Sequence, residues 1–194
     1  MCGIAGYVHK ESCTNTCHEI ELIIGQLQEC RGPDAITSTN SKMGQYTVHL
    51  YHQRLRIQDL SENADQPMSS NIEAGTSIVF NGEIYNFEEM RLKYLPDLKM
   101  KTHSDTEILV ESLTRNSATD VLSSIRGMFA FGKIDVDQNE LMLARDRFGE
   151  KPLHYFANGN LIVFASQFDS IVEAMKLVGE KIEFDQEEIG RAHV

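Results

Sequence analysis

The sequence predicts an α+β protein, a layered sandwich of largely antiparallel strands with helices on the outside. Three observations lead there. Short β-prone runs at 128–135, 140–146, 152–157 and 161–167 are separated by turn sequences such as Val136-Asp137-Gln138-Asn139 and Asn158-Gly159-Asn160, and neighbours joined so closely must pair antiparallel. Leu141-Met142-Leu143-Ala144 and Ile162-Val163-Phe164-Ala165 are apolar without alternation, so both faces of those strands need cover. Other segments carry apolar residues at helical spacing, which supplies the cover. A chain of 194 residues with 41% hydrophobic content suits one domain around a sizeable core.

The elements follow in chain order. Residues 2–9 are apolar and β-prone around Gly3 and Gly6, and they predict a strand. Ile20, Ile23, Ile24 and Leu27 recur at helical spacing up to Arg31-Gly32-Pro33-Asp34, which reads as helix, then turn. Strands are expected over 47–57 and 76–81. Helices are expected over 86–95 and 104–115, each opening with a capping box, Asn86 with Glu89 and Ser104 with Glu107. After the four β-prone runs comes an apolar helix over about 168–178, and Asp185-Gln186-Glu187-Glu188 has the form of a further capped helix start. There is no internal repeat and no linker rich in Pro, Gly or Ser.

Charge and cysteine usage exclude several function classes. With 29 acidic against 18 basic residues the formal charge is −11, and no Lys/Arg cluster forms a stripe able to track phosphates, so neither nucleic acid nor an anionic membrane is expected as a partner. The N-terminus lacks the basic and apolar regions of an export signal, and no apolar run approaches a membrane span. A cytoplasmic protein with reduced thiols is expected. All four cysteines (Cys2, Cys13, Cys17, Cys30) fall in the first thirty residues, but Cys13-x3-Cys17-His18 followed by Cys30 matches no standard zinc spacing. No metal is expected.

Three features carry chemistry. Removal of Met1, favoured by a small second residue, would give Cys2 both a thiol, titrating near 8.5, and a free α-amine, titrating near 7.7–8.0, so nucleophile and base would share one residue. Asn81-Gly82 has two readings. Between β-prone residues it is a hairpin turn signal, but Glu83-Ile84-Tyr85 is short for a returning strand, and a side-chain amide beside a glycine N–H can converge on one oxyanion. Arg54, Glu83 and Asp105 form a set if the fold gathers them: a guanidinium for an α-carboxylate and two carboxylates for an α-ammonium. Otherwise Arg54 is a solvated strand residue, Glu83 a solvated charge, and Asp105 a helix-start acid beside the cap Ser104.

Taken in order, Met1-Cys2-Gly3-Ile4-Ala5-Gly6, Arg31-Gly32-Pro33-Asp34, His52-Gln53-Arg54-Leu55-Arg56-Ile57, Asn81-Gly82-Glu83-Ile84-Tyr85-Asn86, Ser104-Asp105-Thr106-Glu107, Arg126-Gly127-Met128-Phe129-Ala130-Phe131, Ala144-Arg145-Asp146-Arg147-Phe148-Gly149 and Lys151-Pro152-Leu153 resemble the N-terminal glutaminase domain, a class II glutamine amidotransferase domain, of asparagine synthetases. The resemblance implies the four-layer α/β/β/α sandwich of N-terminal-nucleophile hydrolases. It also implies that Cys2 attacks the side-chain amide of L-glutamine, that Asn81 and Gly82 bind the oxyanion, that Arg54 holds the α-carboxylate, and that Glu83 and Asp105 hold the α-ammonium.

The hydrolysis needs no cofactor. ATP and Mg are expected only in a synthetase domain, whose Ser-Gly-Gly-x-Asp-Ser loop does not occur in this sequence. That domain is the expected partner, in a longer chain or as a separate subunit, with a homodimer as another allowed assembly. Residues 1–184 are assigned to the glutaminase domain and 185–194 to the start of a linker or following domain, so the sequence is expected to be a piece of a longer enzyme. Two departures from the family's wording stand out: Cys30 where a histidine is usual before Arg-Gly-Pro-Asp, and Gln167 where a glutamate is usual after Phe-Ala-Ser. Two rivals compete: a catalytically silent regulatory or interaction domain of the same fold, and an N-terminal-nucleophile hydrolase of another amide.

Overall fold

The computed structural model describes residues 1–10, 14–56 and 59–181, with side chains described from residue 19 onward in the first helix. The stretch 185–194, expected to begin a linker or further domain, lies outside the described residues. The strands are β1 (Gly3–Lys10), β2 (Ala35–Met43), β3 (Tyr46–Arg54), β4 (Met68–Ser69), β5 (Thr76–Ile84), β6 (Gly127–Asp135), β7 (Glu140–Arg145), β8 (His154–Ala157) and β9 (Leu161–Ala165). The α-helices are α1 (Thr14–Gln28), α2 (Phe87–Tyr94), α3 (Asp105–Arg115), α4 (Ala118–Ser124) and α5 (Phe168–Leu177). Five strands pair in the order β2-β3-β1-β9-β8 and four in the order β4-β5-β6-β7, and every pairing is antiparallel.

Three apolar clusters make this a four-layer sandwich. Ile20 and Ile24 of α1 and Ile171 and Ala174 of α5 pack on Ala5, Tyr7, Val163 and Ala165 of the five-stranded sheet. Ile4, Val8 and Phe164 meet Val79, Ala130 and Ile134 between the sheets. Ile78, Phe80 and Phe131 meet Leu109, Val110 and Val121 under the outer helices of the four-stranded sheet. The continuously apolar strands are covered on both faces as expected: Leu141 and Leu143 point between the sheets while Met142 and Ala144 point to the helices. The fully buried Phe164 ring wedges the sheets together. A Cβ on Gly6 would come within 2.5 Å of it and a Cβ on Gly132 equally close, so these two glycines make room for one aromatic ring.

The structure departs from the sequence reading where burial leaves no periodic signal. Strand β2 and helix α4 are additions, as is the two-residue β4. β2 is an edge strand with a mostly exposed side-chain row, Ile36 being 58% exposed, so it lacks the apolar alternation that betrays a half-buried strand. The strand expected over 47–57 ends at Arg54, and the one expected over 76–81 runs on to Ile84. β7 and β8 are neighbours in sequence but not partners: the chain crosses between the sheets from Arg145 to His154. The cap at Asn86 does not form. Its amide instead bridges Ser124 O and Arg126 N–H across 3.0 and 2.8 Å. Ser104 does cap α3, accepting from Thr106 N–H at 3.2 Å, but Glu107 bonds the N–H groups of Lys101 and Thr102, not that of Ser104.

Candidate active site

The site forms at one end of both sheets. The register Gly3↔Gln53 carries Cys2, one residue before β1, to the end of β3 where Arg54 stands. Cys2 is fixed on three sides. Arg31 Nε donates to its carbonyl oxygen at 3.1 Å, Leu55 N–H donates to its sulfur at 3.4 Å, and its thiol reaches Leu55 O at 3.7 Å. From the other sheet come Asn81, Gly82 and Glu83 near the end of β5. Asp105, first residue of α3, is pinned to that strand end by accepting Ile84 N–H at 2.9 Å. All six residues singled out in the sequence (Cys2, Arg54, Asn81, Gly82, Glu83 and Asp105) line one recess, together with Met1, Leu55, Asp59, Gln66, Thr106, Met128 and Lys151.

The hairpin reading of Asn81-Gly82 is overturned, because both residues lie inside β5 opposite Ala130 and Phe129 of β6. Asn81 is 2% exposed, and its Nδ2 is buried without a hydrogen-bond partner among the described residues. Such a donor is costly to leave unmade and suits a ligand oxygen. Gly82 is required by the sheet: a Cβ there would meet Met128 O at 2.3 Å and the Phe129 backbone at 2.7 Å. The reason for a glycine is thus close approach of β6, and the freedom of a substrate oxygen to approach is a separate matter.

Arg54 is no solvated strand residue. It is 6% exposed, and its guanidinium bonds the Asp65 carboxylate, the Ser61 carbonyl at 2.9 Å and the Asp59 carbonyl. Three of its five N–H donors are thereby committed. Burial alone would raise the Asp65 carboxyl, but hydrogen bonds from Arg56 and Arg54 outweigh it and hold that group below the usual carboxylate range. Asp59 is pulled down to about 2 by hydrogen bonds from Ser61 and from His103 N–H. Asp105 goes the other way. It is 5% exposed, and burial pushes its carboxyl up to about 6, aided by the charge of Glu83 and opposed by the N–H groups of Ile84 and Thr106.

A family model described as a glutamine amidotransferase domain matches residues 1–191. The chain belongs to that family. Several of its relatives are named asparagine synthetases. It is 33% identical to a putative glutamine-hydrolysing asparagine synthetase of Methanocaldococcus jannaschii over 93% of this chain and 36% of that protein. It is 36% identical to glutamine-hydrolysing asparagine synthetase 1 of Bacillus subtilis over 96% of this chain and 28% of that protein. The chain thus spans about a third of the length of the curated relatives it matches. Among solved structures, glutamine phosphoribosylpyrophosphate amidotransferase of B. subtilis shares the fold with a TM-score of 0.65 at 18% identity, over 92% of this chain and 44% of the other. The architecture is the N-terminal-nucleophile hydrolase sandwich.

Within this glutamine amidotransferase domain the two departures from family wording prove to be neighbours. Gln167 Nε2 reaches the Cys30 sulfur at 3.9 Å, so the two positions touch. Residues that line the recess or hold its lining left little trace in the sequence. Asp65 and Gln66 sit in a loop with no periodicity, although Gln66 ties the site together by accepting Phe80 N–H at 2.6 Å and donating to Thr106 Oγ1 at 3.2 Å. Lys151 was visible only as part of Lys151-Pro152-Leu153. No helix among the described residues is long and apolar enough to cross a membrane.

Proposed function

We propose that this domain hydrolyses L-glutamine to L-glutamate and ammonia through a thioester on Cys2, once Met1 has been removed. The observation that carries the reading is the convergence on one recess of a thiol, a buried amide donor without a partner, a guanidinium and two carboxylates. The α-amine of Cys2 takes the thiol proton, and the sulfur forms a bond to the side-chain carbonyl carbon of glutamine. The carbonyl π pair moves onto oxygen, where Asn81 Nδ2 and the Gly82 N–H donate to it. The ammonium of Cys2 returns its proton to the departing nitrogen, the C–N bond breaks, and ammonia leaves a thioester. A water deprotonated by the same amine then adds to the thioester carbon. The C–S bond breaks, the sulfur recovers a proton, and glutamate is released.

The remaining groups select a free amino acid. Arg54 presents its uncommitted N–H donors to the α-carboxylate, and Glu83 with Asp105 faces the α-ammonium. The ammonia passes to an asparagine-synthetase-type domain outside these 194 residues, which uses ATP and Mg to activate an acceptor. The test combines intact mass, glutamine turnover and labelling with a glutamine-analogue electrophile. Protein lacking Met1 is expected to release ammonia and to be labelled at Cys2 alone, and Cys2→Ala to do neither. Full turnover by protein of unprocessed mass, or labelling at Cys13, Cys17 or Cys30 with Cys2 untouched, sinks the reading.

A further inference from the structure

The thioester chemistry leaves one buried charge of the recess without a task. Lys151 is 7% exposed and lines the cavity beside Cys2. Its ammonium reaches the sulfur of Met1 at 3.5 Å, and among the described residues it has no ion pair. A buried ammonium without a counter-ion is costly, yet the backbone is built to hold it there. The Asp146 carboxylate accepts the N–H of Lys151 at 3.0 Å, along with those of Phe129, Phe148 and Glu150. Arg145 Nε takes the Lys151 carbonyl at 2.8 Å. The crossing between the two sheets is therefore folded around one carboxylate and delivers a cation to the place Met1 occupies.

We propose that Lys151 is a positioning residue for the terminal amine: with Met1 gone, its ammonium faces the α-amine of Cys2 and holds that amine in its neutral, proton-accepting form. This rests on the reading that Cys2 supplies both nucleophile and base. The charged groups around the amine make the need plain. Glu83 and Asp105 from the four-stranded sheet side and Asp59 from the loop after β3 favour a protonated amine. Arg54 opposes them from the five-stranded sheet side, sharing the Asp65 carboxylate with Arg56. Arg31 approaches from the helix side, on the Cys2 carbonyl. Lys151 is the cation that reaches the place of Met1 itself and counters the carboxylates there, and like charges close together in a low-dielectric site disfavour a second protonation.

The experiment compares wild type, Lys151→Met and Lys151→Arg, each released from a cleavable leader with Cys2 as first residue. The acid limb of kcat/KM for glutamine is expected to move up by about one pH unit in Lys151→Met and to stay within a few tenths in Lys151→Arg. A limb unmoved in Lys151→Met overturns the proposal. A second readout needs no catalysis: in Cys2→Ala protein, the pH dependence of reductive methylation of the terminal amine, followed by mass, reports that amine directly. Adding Lys151→Met or Lys151→Gln must raise its midpoint, and an unchanged midpoint again overturns the proposal. If wild type shows no Cys2-dependent hydrolysis, the glutaminase reading fails while the amine titration still judges Lys151.

Discussion

The two walls of the recess solve opposite problems. On the side of the five-stranded sheet the groups facing the recess are engaged: the Cys2 thiol lies against the Leu55 backbone, and Arg54 is shared among Asp65 and two carbonyls. On the side of the four-stranded sheet, burial carries an uncompensated cost. Asn81 Nδ2 has no partner among the described residues, and the Asp105 carboxyl is buried deeply enough to titrate near 6. A bonded group is fixed in position at little cost, whereas a buried group lacking partners stores a penalty that a ligand relieves. The comparison assigns holding to the first wall and recognition of developing charge to the second.

The sharpest break in that comparison is Asn81→Ala. If the amide waits for an oxyanion, kcat falls by about 10²–10³ with KM little changed. Stability measured by denaturant stays within about 1 kcal/mol, because the deleted amide donor made no hydrogen bond among the described residues. An early melt with normal turnover per folded molecule would return Asn81 to a scaffolding role. Arg54→Lys tests the opposite wall and should move both quantities. A lysine cannot serve Asp65, two carbonyls and a substrate carboxylate at once, so KM for glutamine is expected to rise about 10–100-fold and the melting temperature to drop. An unchanged melt with raised KM would mean that the Asp65 pairing contributes nothing to the fold.

The smallest effect concerns Asp105. With its carboxyl at about 6 in the folded protein, only about a tenth is ionised at pH 5, so KM should rise by about tenfold between pH 7 and pH 5 if it binds the α-ammonium. Asp105→Asn should raise KM at pH 7 and flatten that dependence. Stability carries the same signature with a definite sign. The folded value lies above the ordinary 3.8, so the stabilising contribution of the protonated form is complete below about pH 4 and is lost as pH rises through about 6. That loss amounts to about 3 kcal/mol and should be missing from Asp105→Asn. Denaturant titrations of both proteins at pH 4 and 7 measure it.

Much of the site was legible because each residue type announces its own chemistry, yet the sequence misjudged how those residues are held. Asn81-Gly82 carried the strongest turn signal and lies in mid-strand. A glycine demanded by the nearby β6 backbone and one demanded by a turn look the same in one dimension. Arg54 was read as either a carboxylate-binding guanidinium or a solvated strand residue, and nothing in Ser61-Glu62-Asn63-Ala64-Asp65 foretold that Asp65 would fold back onto it. The layer order was legible for a better reason: the apolar runs at 141–144 and 162–165 require cover on both faces, and only a sandwich between helices provides it.

By itself, then, the sequence determined the elements with strong burial periodicity, the layered antiparallel architecture, and through its ordered motifs six residues that line one recess. Local pattern suffices there, because burial of alternate or successive side chains is written within a few residues of each position. Only the tertiary structure decided the edge strand β2, the crossing that parts β7 from β8, the contact of Cys30 with Gln167, the pairing of Arg54 with Asp65, and the arrival of Lys151 beside Met1. Each depends on strand register and loop closure between residues as far as 150 positions apart, and a single sequence records no such distance.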